Sequence, residues 1–273
     1  MNIIFIEDKS IIRQVLSEYI KYLENCSTNV LSRKTNKVIN TYNFELIMNI
    51  YLDNCIQLST RLKHQVTDFI NKIRNKYSKY PFVHSKWKFI AVKDIEISMP
   101  FTLQDCIFIT ENLLQNSNIT NILIHEKIHT IQRKLSSSFY NLYTTYLGYI
   151  PANIIITKNW KKLIFVNPDG VHYQFVFPYL DKFFLPMLIL NVQTNLPEEI
   201  VILLKKENNQ YITTNTYWLL HQLKNSLFKD YPKNISLYHP NEISAEIIAT
   251  IITNNNNINH DLQLKFKYIT DLL

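Results

Sequence analysis

Two histidines with a glutamate beside the first form the part of this sequence best suited to chemistry. The segment His125–His129 reads HEKIH. On an α-helix, residues four positions apart are separated by about 40° around the axis, so both imidazoles can reach one metal ion. Glu126 projects beside the same point, where a carboxylate can act as a base toward a metal-bound water. The spacing therefore predicts two metal ligands, His125 and His129, and one catalytic base, Glu126.

The residues around this motif predict a helix over 117–135, because apolar side chains recur there at helical spacing. The isoleucines form one stripe that is expected to pack against the core. Lys127, Thr130 and Lys134 fall on the opposite side, where the pattern predicts exposure to solvent. Gln132 lies on the ligand side, one turn beyond the second histidine, and an ordinary contact on the helix surface is the favoured interpretation for it.

A second helical pattern downstream carries two acidic residues. A catalytic zinc site usually has three protein ligands and keeps a fourth position for water, so the two histidines need a third partner. The segment 239–246 reads HPNEISAE and opens a helical stretch. Its acids Glu242 and Glu246 are four positions apart and can face the same site, so either could supply the third ligand.

Together, the two segments resemble the gluzincin branch of zinc metallopeptidases. In that family HExxH supplies two ligands, and a glutamate on a later helix, often within an N-E-x-x-x-D pattern, supplies the third. Asn241–Glu246 matches this pattern with glutamate in the final position. The resemblance implies one Zn²⁺ per chain, bound by His125, His129 and Glu242. It also implies that Glu246 orients a ligand histidine.

This resemblance covers two short segments, and many more residues separate them than in the best-known gluzincins. A β-rich insertion over 151–216 is therefore expected between the two metal-binding helices. Composition and motif together are also similar to uncharacterised zincin-like proteins of large DNA viruses, which would make this a viral protein.

The patterns along the chain predict an α+β fold with a small mixed sheet beside the HExxH helix, and the resemblance implies that this fold is zincin-like. Residues 1–80 are expected to form a helical N-terminal subdomain, and residues 81–273 the metallopeptidase domain. Inside the insertion, Asn167–Gly170 reads NPDG between two β-like runs, 162–166 and 171–177, and predicts a hairpin turn.

Short β-rich runs before the HExxH helix, at 87–92, 95–98 and 105–110, predict the small sheet. In zincin-like folds the strand beside the active-site helix commonly binds an extended substrate by edge pairing. The candidate for this role is the strand that contains Ile107, Phe108 and Ile109. An interior strand without contact to substrate is an equally open interpretation of this segment.

Hydrolysis of a peptide bond also needs a hydrogen-bond donor for the oxyanion that develops on the carbonyl. Four polar residues near the predicted cleft segments could donate, and the sequence leaves all four open. These residues are His172, Tyr173, Tyr238 and His239.

The amino-acid composition limits the classes of protein to which this chain can belong. Hydrophobic residues make up 47% of the 273 residues and charged residues 19%, which favours a folded rather than a disordered chain. With only 2 Gly, the chain has no glycine-rich phosphate loop, so P-loop and Rossmann nucleotide binding are excluded. Positions that need a positive φ are expected to be filled mostly by Asn or Asp.

The formal net charge of +7 favours weak association with anionic partners. The basic residues are scattered and form no long run, so nucleic acid is an unlikely partner. No apolar stretch reaches the roughly 20 residues that a membrane span needs, and the N-terminus does not resemble a secretory signal. Three cysteines without a CxxC pair favour a reducing compartment. These features predict a soluble intracellular protein, in the cytoplasm, or in the virion or host cytoplasm if it is viral.

We expect a zinc-dependent metallopeptidase that hydrolyses peptide bonds in a protein or peptide substrate, with a metal-activated water and Glu126 as general base. Two alternatives belong to other classes. One is a non-catalytic zinc-binding virion or host-interaction protein. The other is a basic nucleic-acid-binding protein in which the histidine motif is accidental, and such a protein would lose nucleic acid steeply with added salt.

Overall fold

The computed structural model describes residues 2–170, 172–232, 235–253 and 258–273. It consists of 47% helix and 23% strand, the mixture expected of the predicted α+β class. The chain divides into two compact units, Met1–Lys134 with Leu273, and Leu135–Leu272. The predicted boundary at residue 80 falls inside the first unit. Within the described ranges, no helix combines the length and apolar character needed to cross a membrane.

The helices of the first unit begin where the sequence offers side-chain caps. Each of the first four helices follows a residue whose side chain accepts a hydrogen bond from a first-turn amide, and such caps stabilise a helix start. The caps are Asp8, Ser27, Asn43 and Ser59. The helices are α1 (Lys9–Tyr22), α2 (Thr28–Thr35), α3 (Phe44–Asn54), α4 (Thr60–Lys76) and α5 (Ile119–Lys134).

The first unit also contains a mixed sheet in which the strands run in the order β1-β3-β5-β4. β1, β3 and β5 are parallel, β4 runs antiparallel to β5, and the short β2 pairs antiparallel with β3. The strands are β1 (Ile3–Phe5), β2 (Cys55–Ile56), β3 (Trp87–Val92), β4 (Phe101–Leu103) and β5 (Cys106–Ile109).

The predicted substrate edge strand is an interior strand. β5 lies between β3 and β4 and pairs with both. Its residues Ile107, Phe108 and Ile109 are buried. Because β5 has a neighbour on each side, its backbone groups already form hydrogen bonds within the sheet. The edge-strand prediction is therefore wrong. β4 ends this sheet in the described residues, and its side chains are buried as well.

The strand predicted at 95–98 is also wrong, because this segment is a left-handed turn. Glu96, Ile97 and Ser98 have φ angles of 48°, 52° and 58°. Left-handed backbone costs roughly 1–2 kcal/mol for each residue that carries a Cβ. Three such residues in a row therefore need other contacts to hold them.

Those contacts come from a buried polar cluster around Glu96. The Lys34 Nζ lies 2.6 Å from Glu96 Oε2, and the hydroxyls of Tyr19 and Tyr51 donate to Oε1. Lys34 is 0% exposed and Glu96 4% exposed. Burial and the negative charge of Glu96 raise the pKa of both tyrosines well above their ordinary value, so the hydroxyls stay protonated as donors. We call these four residues the Glu96 cluster.

The second unit is built on a six-stranded sheet in the order β6-β8-β9-β10-β11-β7, antiparallel except where β11 meets β7. Trp160 packs on the buried side chains of this sheet. The strands are β6 (Ile150–Pro151), β7 (Asn153–Ile155), β8 (Phe175–Tyr179), β9 (Lys182–Asn191), β10 (Leu196–Glu207) and β11 (Gln210–Leu219). The helices are α6 (Ser136–Asn141), α7 (Lys158–Lys161), α8 (Leu220–Leu223), α9 (Pro240–Ile252) and α10 (His260–Thr270).

Asn167–Gly170 forms the predicted turn but not the predicted hairpin. The Gly170 amide donates to the Asn167 carbonyl at 3.0 Å, which closes the turn. On one side of the turn, Ile164 bridges to Ile189 of β9. On the other side β8 starts only at Phe175, and residue 171 lies outside the described residues. The described residues that flank the turn are therefore not paired with each other as two strands.

Positive φ angles occur at ten described residues other than glycine. Five of the ten are Asn or Asp, so the expectation that these two types would fill most such positions is met for half of them. One apolar exception on the surface is Leu180 in the turn between β8 and β9, with a φ of 54° and 87% exposure.

The three cysteines are free thiols with little tendency to ionise. Burial raises the pKa of Cys26 to about 11, and that of Cys55 and Cys106 to about 12. Because the thiolate is the reactive form, we expect a thiol reagent at pH 8 to label the native protein at least about 100-fold more slowly than urea-unfolded protein. The unfolded chain releases these protons near pH 8.5 and the native chain retains them, so stability should fall as the pH rises above that value. Equal labelling rates in the two states would contradict the burial of the thiols.

Candidate metal centre

Helix α5, which carries both histidines, is buried on the side that the sequence predicts to be exposed. Lys127 and Thr130 are only 2% and 1% exposed. The Lys127 Nζ donates to the Lys86 carbonyl at 2.6 Å and lies 5.2 Å from the centre of the Trp87 ring. Burial, followed by the positive charge of Lys134, lowers the Lys127 pKa to about 8. The predicted exposure is wrong for Lys127 and Thr130, since the Lys127 ammonium contacts a backbone carbonyl and an aromatic face, whereas Lys134 is exposed.

The C-terminal end of α5 is fastened to the sheet by Arg133. Its guanidinium donates to the Thr102 hydroxyl at 2.6 Å and to the Thr102 carbonyl at 3.0 Å. It also donates to the carbonyls of Gln104 and, one turn back, His129. Contacts near its middle and at this end therefore fix the helix that presents the histidines.

The two histidines converge as their spacing predicts. The Nε2 atoms of His125 and His129 are 3.0 Å apart. Two nitrogens bound at about 2.05 Å in a tetrahedral zinc shell would be separated by about 3.3 Å, so this spacing suits a shared metal ion. His129 is buried and His125 half-buried. Glu126, next to His125 on the helix, is 4% exposed.

Gln132 contacts His129 directly. Its Oε1 lies 2.8 Å from His129 Nδ1, and Gln132 is 6% exposed. Because a carbonyl oxygen only accepts, Nδ1 is the protonated nitrogen of the neutral ring, and the lone pair lies on Nε2. The interpretation of Gln132 as an ordinary surface contact is therefore wrong. The contact orients the ring that carries the predicted ligand nitrogen.

In the second unit, the residue before α9 serves as its cap. His239 Nδ1 accepts a hydrogen bond from the Asn241 amide at 3.1 Å, and its Nε2 donates to the His172 carbonyl at 3.1 Å. Both ring nitrogens of His239 thus hold the start of the helix on which Glu242 lies. This use competes with the predicted role of His239 as an oxyanion donor.

The carboxylate of Glu242 is buried beside two polar side chains. Asn167 Nδ2 donates to Glu242 Oε1 at 3.0 Å and also to the Tyr238 hydroxyl. Burial and the negative charge of Glu242 raise the pKa of Tyr238 well above its ordinary value. Tyr238 therefore keeps its proton next to a carboxylate that is itself 5% exposed.

The remaining predicted residues lie in three different settings. Glu246 is half-buried on α9, one turn after Glu242. The Tyr173 hydroxyl accepts a long hydrogen bond of 3.5 Å from the Leu188 amide. The His172 side chain is exposed, and its backbone carbonyl accepts a hydrogen bond from His239. Their predicted roles stay predictions.

Three of the predicted ligands form a group that could hold a metal ion. One ligand atom each from His125, His129 and Glu242 lies within 4.8 Å of the others. Two imidazole nitrogens and one carboxylate oxygen are donors that suit zinc, although other divalent metals accept the same set. The predicted ligands therefore form a group that could hold a metal ion.

Gln132 and Asn167 extend the predicted set by one contact on His129 and one on Glu242. The chain matches no protein-family model, no curated protein and no solved structure.

Proposed function

We propose that this protein is a zinc-dependent metallopeptidase of gluzincin type, which hydrolyses peptide bonds in a protein or peptide substrate. The observation that carries the proposal is the group formed by His125, His129 and Glu242, whose ligand atoms lie within 4.8 Å of one another. Three protein ligands leave one tetrahedral position for water, as in catalytic zinc sites, whereas structural sites use four protein ligands.

A zinc ion bound there would acidify a water molecule and polarise the substrate carbonyl. Glu126 supports the catalytic interpretation, because a structural site needs no base. Its carboxylate would accept a proton from the attacking water and return it to the leaving amine.

Tyr238 is the best supported of the four proposed oxyanion donors. It retains its proton, because burial and Glu242 raise its pKa, and it lies with Glu242 around the amide of Asn167. The ring nitrogens of His239 are used in capping α9. We therefore assign the oxyanion contact to Tyr238.

Metal content and peptide cleavage test the proposal directly. Elemental mass spectrometry on the wild type should give about one zinc per chain, and His129→Ala or Glu242→Ala should lose it. His64→Ala, which removes an exposed histidine of α4, is the matched control and should retain zinc. The wild type should also cleave a mixed peptide library. Zinc without cleavage would favour the non-catalytic alternative, and equal zinc in all variants would reject the site.

Gln132 gives a second, more specific prediction. Gln132→Leu removes the acceptor for His129 Nδ1, so zinc affinity should fall by about 10- to 100-fold, while Gln132→Glu should preserve it. Competition with a chromophoric chelator measures both. Gln65→Leu on α4 is the control for loss of an amide from a helix. An unchanged affinity in Gln132→Leu would show that the contact does not support the ligand.

A further inference from the structure

The turn Asn167–Gly170 packs against the start of α9 in the second unit. Asn241 Nδ2 donates to the Asp169 carbonyl at 2.8 Å. A Cβ added to Gly170 would lie 3.0 Å from Cγ of the His239 ring, closer than real Cβ atoms ordinarily approach. Pro168, Asp169 and Gly170 are all buried. The turn therefore fits closely over the residues that open the helix.

The side chain of Asn167 is held in one orientation by this turn. Its Oδ1 accepts from the Asp169 amide at 3.1 Å, which is an Asx-type contact. With the oxygen fixed there, the amide nitrogen must point the other way, and its two hydrogens go to Glu242 Oε1 and the Tyr238 hydroxyl. The amide nitrogen and the carbonyl oxygen of the Asn167 side chain are thus both hydrogen-bonded. The backbone of the turn determines the orientation of this side chain.

We propose that the Asn167–Gly170 turn is a clamp that positions the carboxylate of Glu242, with Asn167 as the positioning residue. The inference rests on the proposed function for what Glu242 binds. A glutamate side chain has several rotatable bonds, and ordering them on metal binding costs conformational entropy. Asn167 holds one carboxylate oxygen beforehand, so less freedom is lost when a ligand binds to the carboxylate.

The same arrangement occurs elsewhere in the second unit and provides a matched control. Asn191 Oδ1 accepts from the amides of Gln193 and Thr194, and its Nδ2 donates to Glu198 at 3.1 Å. Asn191→Ala therefore removes an Asx-type turn and an amide-to-carboxylate contact without touching Glu242.

The test is zinc affinity of the full chain, measured by chelator competition, together with urea unfolding of the metal-free protein. Asn167→Ala should lower zinc affinity by about 10- to 100-fold, and Asn191→Ala should leave it unchanged. The comparison is made in chains that retain Glu242, because Glu242→Ala alone is expected to lose zinc. Gly170→Ala keeps the amide but displaces the turn, and it should also weaken binding.

Each outcome supports or overturns the clamp. A loss of zinc affinity in Asn167→Ala that is absent in Asn191→Ala supports it. Wild-type affinity in Asn167→Ala, with affinity lost in Glu242→Ala, would overturn the clamp and leave the metal centre intact. A wild-type protein that binds no zinc would overturn the proposed function and the clamp with it. If Asn167→Ala fails to fold, wild-type affinity in a folded Gly170→Ala would still overturn the clamp.

Discussion

Glu126→Gln should retain about one zinc per chain and lose peptide hydrolysis by about 100- to 10,000-fold. Glutamine fills the same volume, which matters because Glu126 is 4% exposed and a smaller residue would leave a void. The amide cannot accept a proton from water near neutral pH, so the proposed base is removed while the two histidines proposed as ligands stay in place. Metal content by elemental mass spectrometry and kcat/KM on a peptide from the library measure the two effects separately.

The control for this variant is Glu111→Gln, since Glu111 is an exposed acid of the same unit. It should show wild-type zinc content and wild-type hydrolysis. Full activity in Glu126→Gln would show that another group acts as the base. Loss of zinc in Glu126→Gln would show that the residue supports the metal site rather than the proton transfer.

Lys34→Met should lower the free energy of unfolding by about 3–5 kcal/mol, because it leaves the carboxylate of Glu96 buried without its cation. Lys34 Nζ and Glu96 Oε2 are 2.6 Å apart, and both side chains are almost inaccessible to solvent. The loss is a large part of the roughly 5–15 kcal/mol that stabilises a typical domain. Urea unfolding followed by far-UV circular dichroism measures it.

The double variant Lys34→Met with Glu96→Gln should be less destabilised than the sum of the single variants. It removes both charges, and the glutamine oxygen still accepts from the hydroxyls of the Glu96 cluster. Lys267→Met breaks the exposed Lys267–Asp271 pair and should change stability little. Additive losses in the double variant would show that the charges are not coupled.

Elements with strong local signals could be predicted from the sequence. β3 occupies its predicted range of 87–92, and α5 and α9 lie within two residues of the predicted helices. Their periodicity is a property of neighbouring residues, so a single sequence contains the necessary information.

The left-handed turn at Glu96 could not be predicted in this way. The segment has the composition of a strand, and its conformation depends on Lys34, 62 positions earlier. A contact at that distance leaves no periodic trace in the sequence. The same holds for Asn167, whose partner Glu242 is 75 positions later, although the Asn-Pro-Asp-Gly sequence did indicate the turn itself.

The candidate site was predictable to the extent that its chemistry follows from spacing. Two histidines four positions apart on a helix must lie close together, and the structure places them so. The spacing of Glu242 and Glu246 leaves either acid as the third partner, and in the structure Glu242 belongs to the group that could hold a metal ion. The interior position of β5 likewise depends on strand order, which periodicity does not contain.

Leu180 is a position at which a substitution could improve the properties of the protein. It is an exposed apolar side chain on left-handed backbone at the turn between β8 and β9. Asparagine or glycine adopts such a backbone with less strain than leucine. Either residue would also remove a hydrophobic group from the surface, which lowers the tendency to aggregate. A single substitution at this turn could therefore improve solubility and thermal tolerance together, while leaving every proposed ligand residue unchanged.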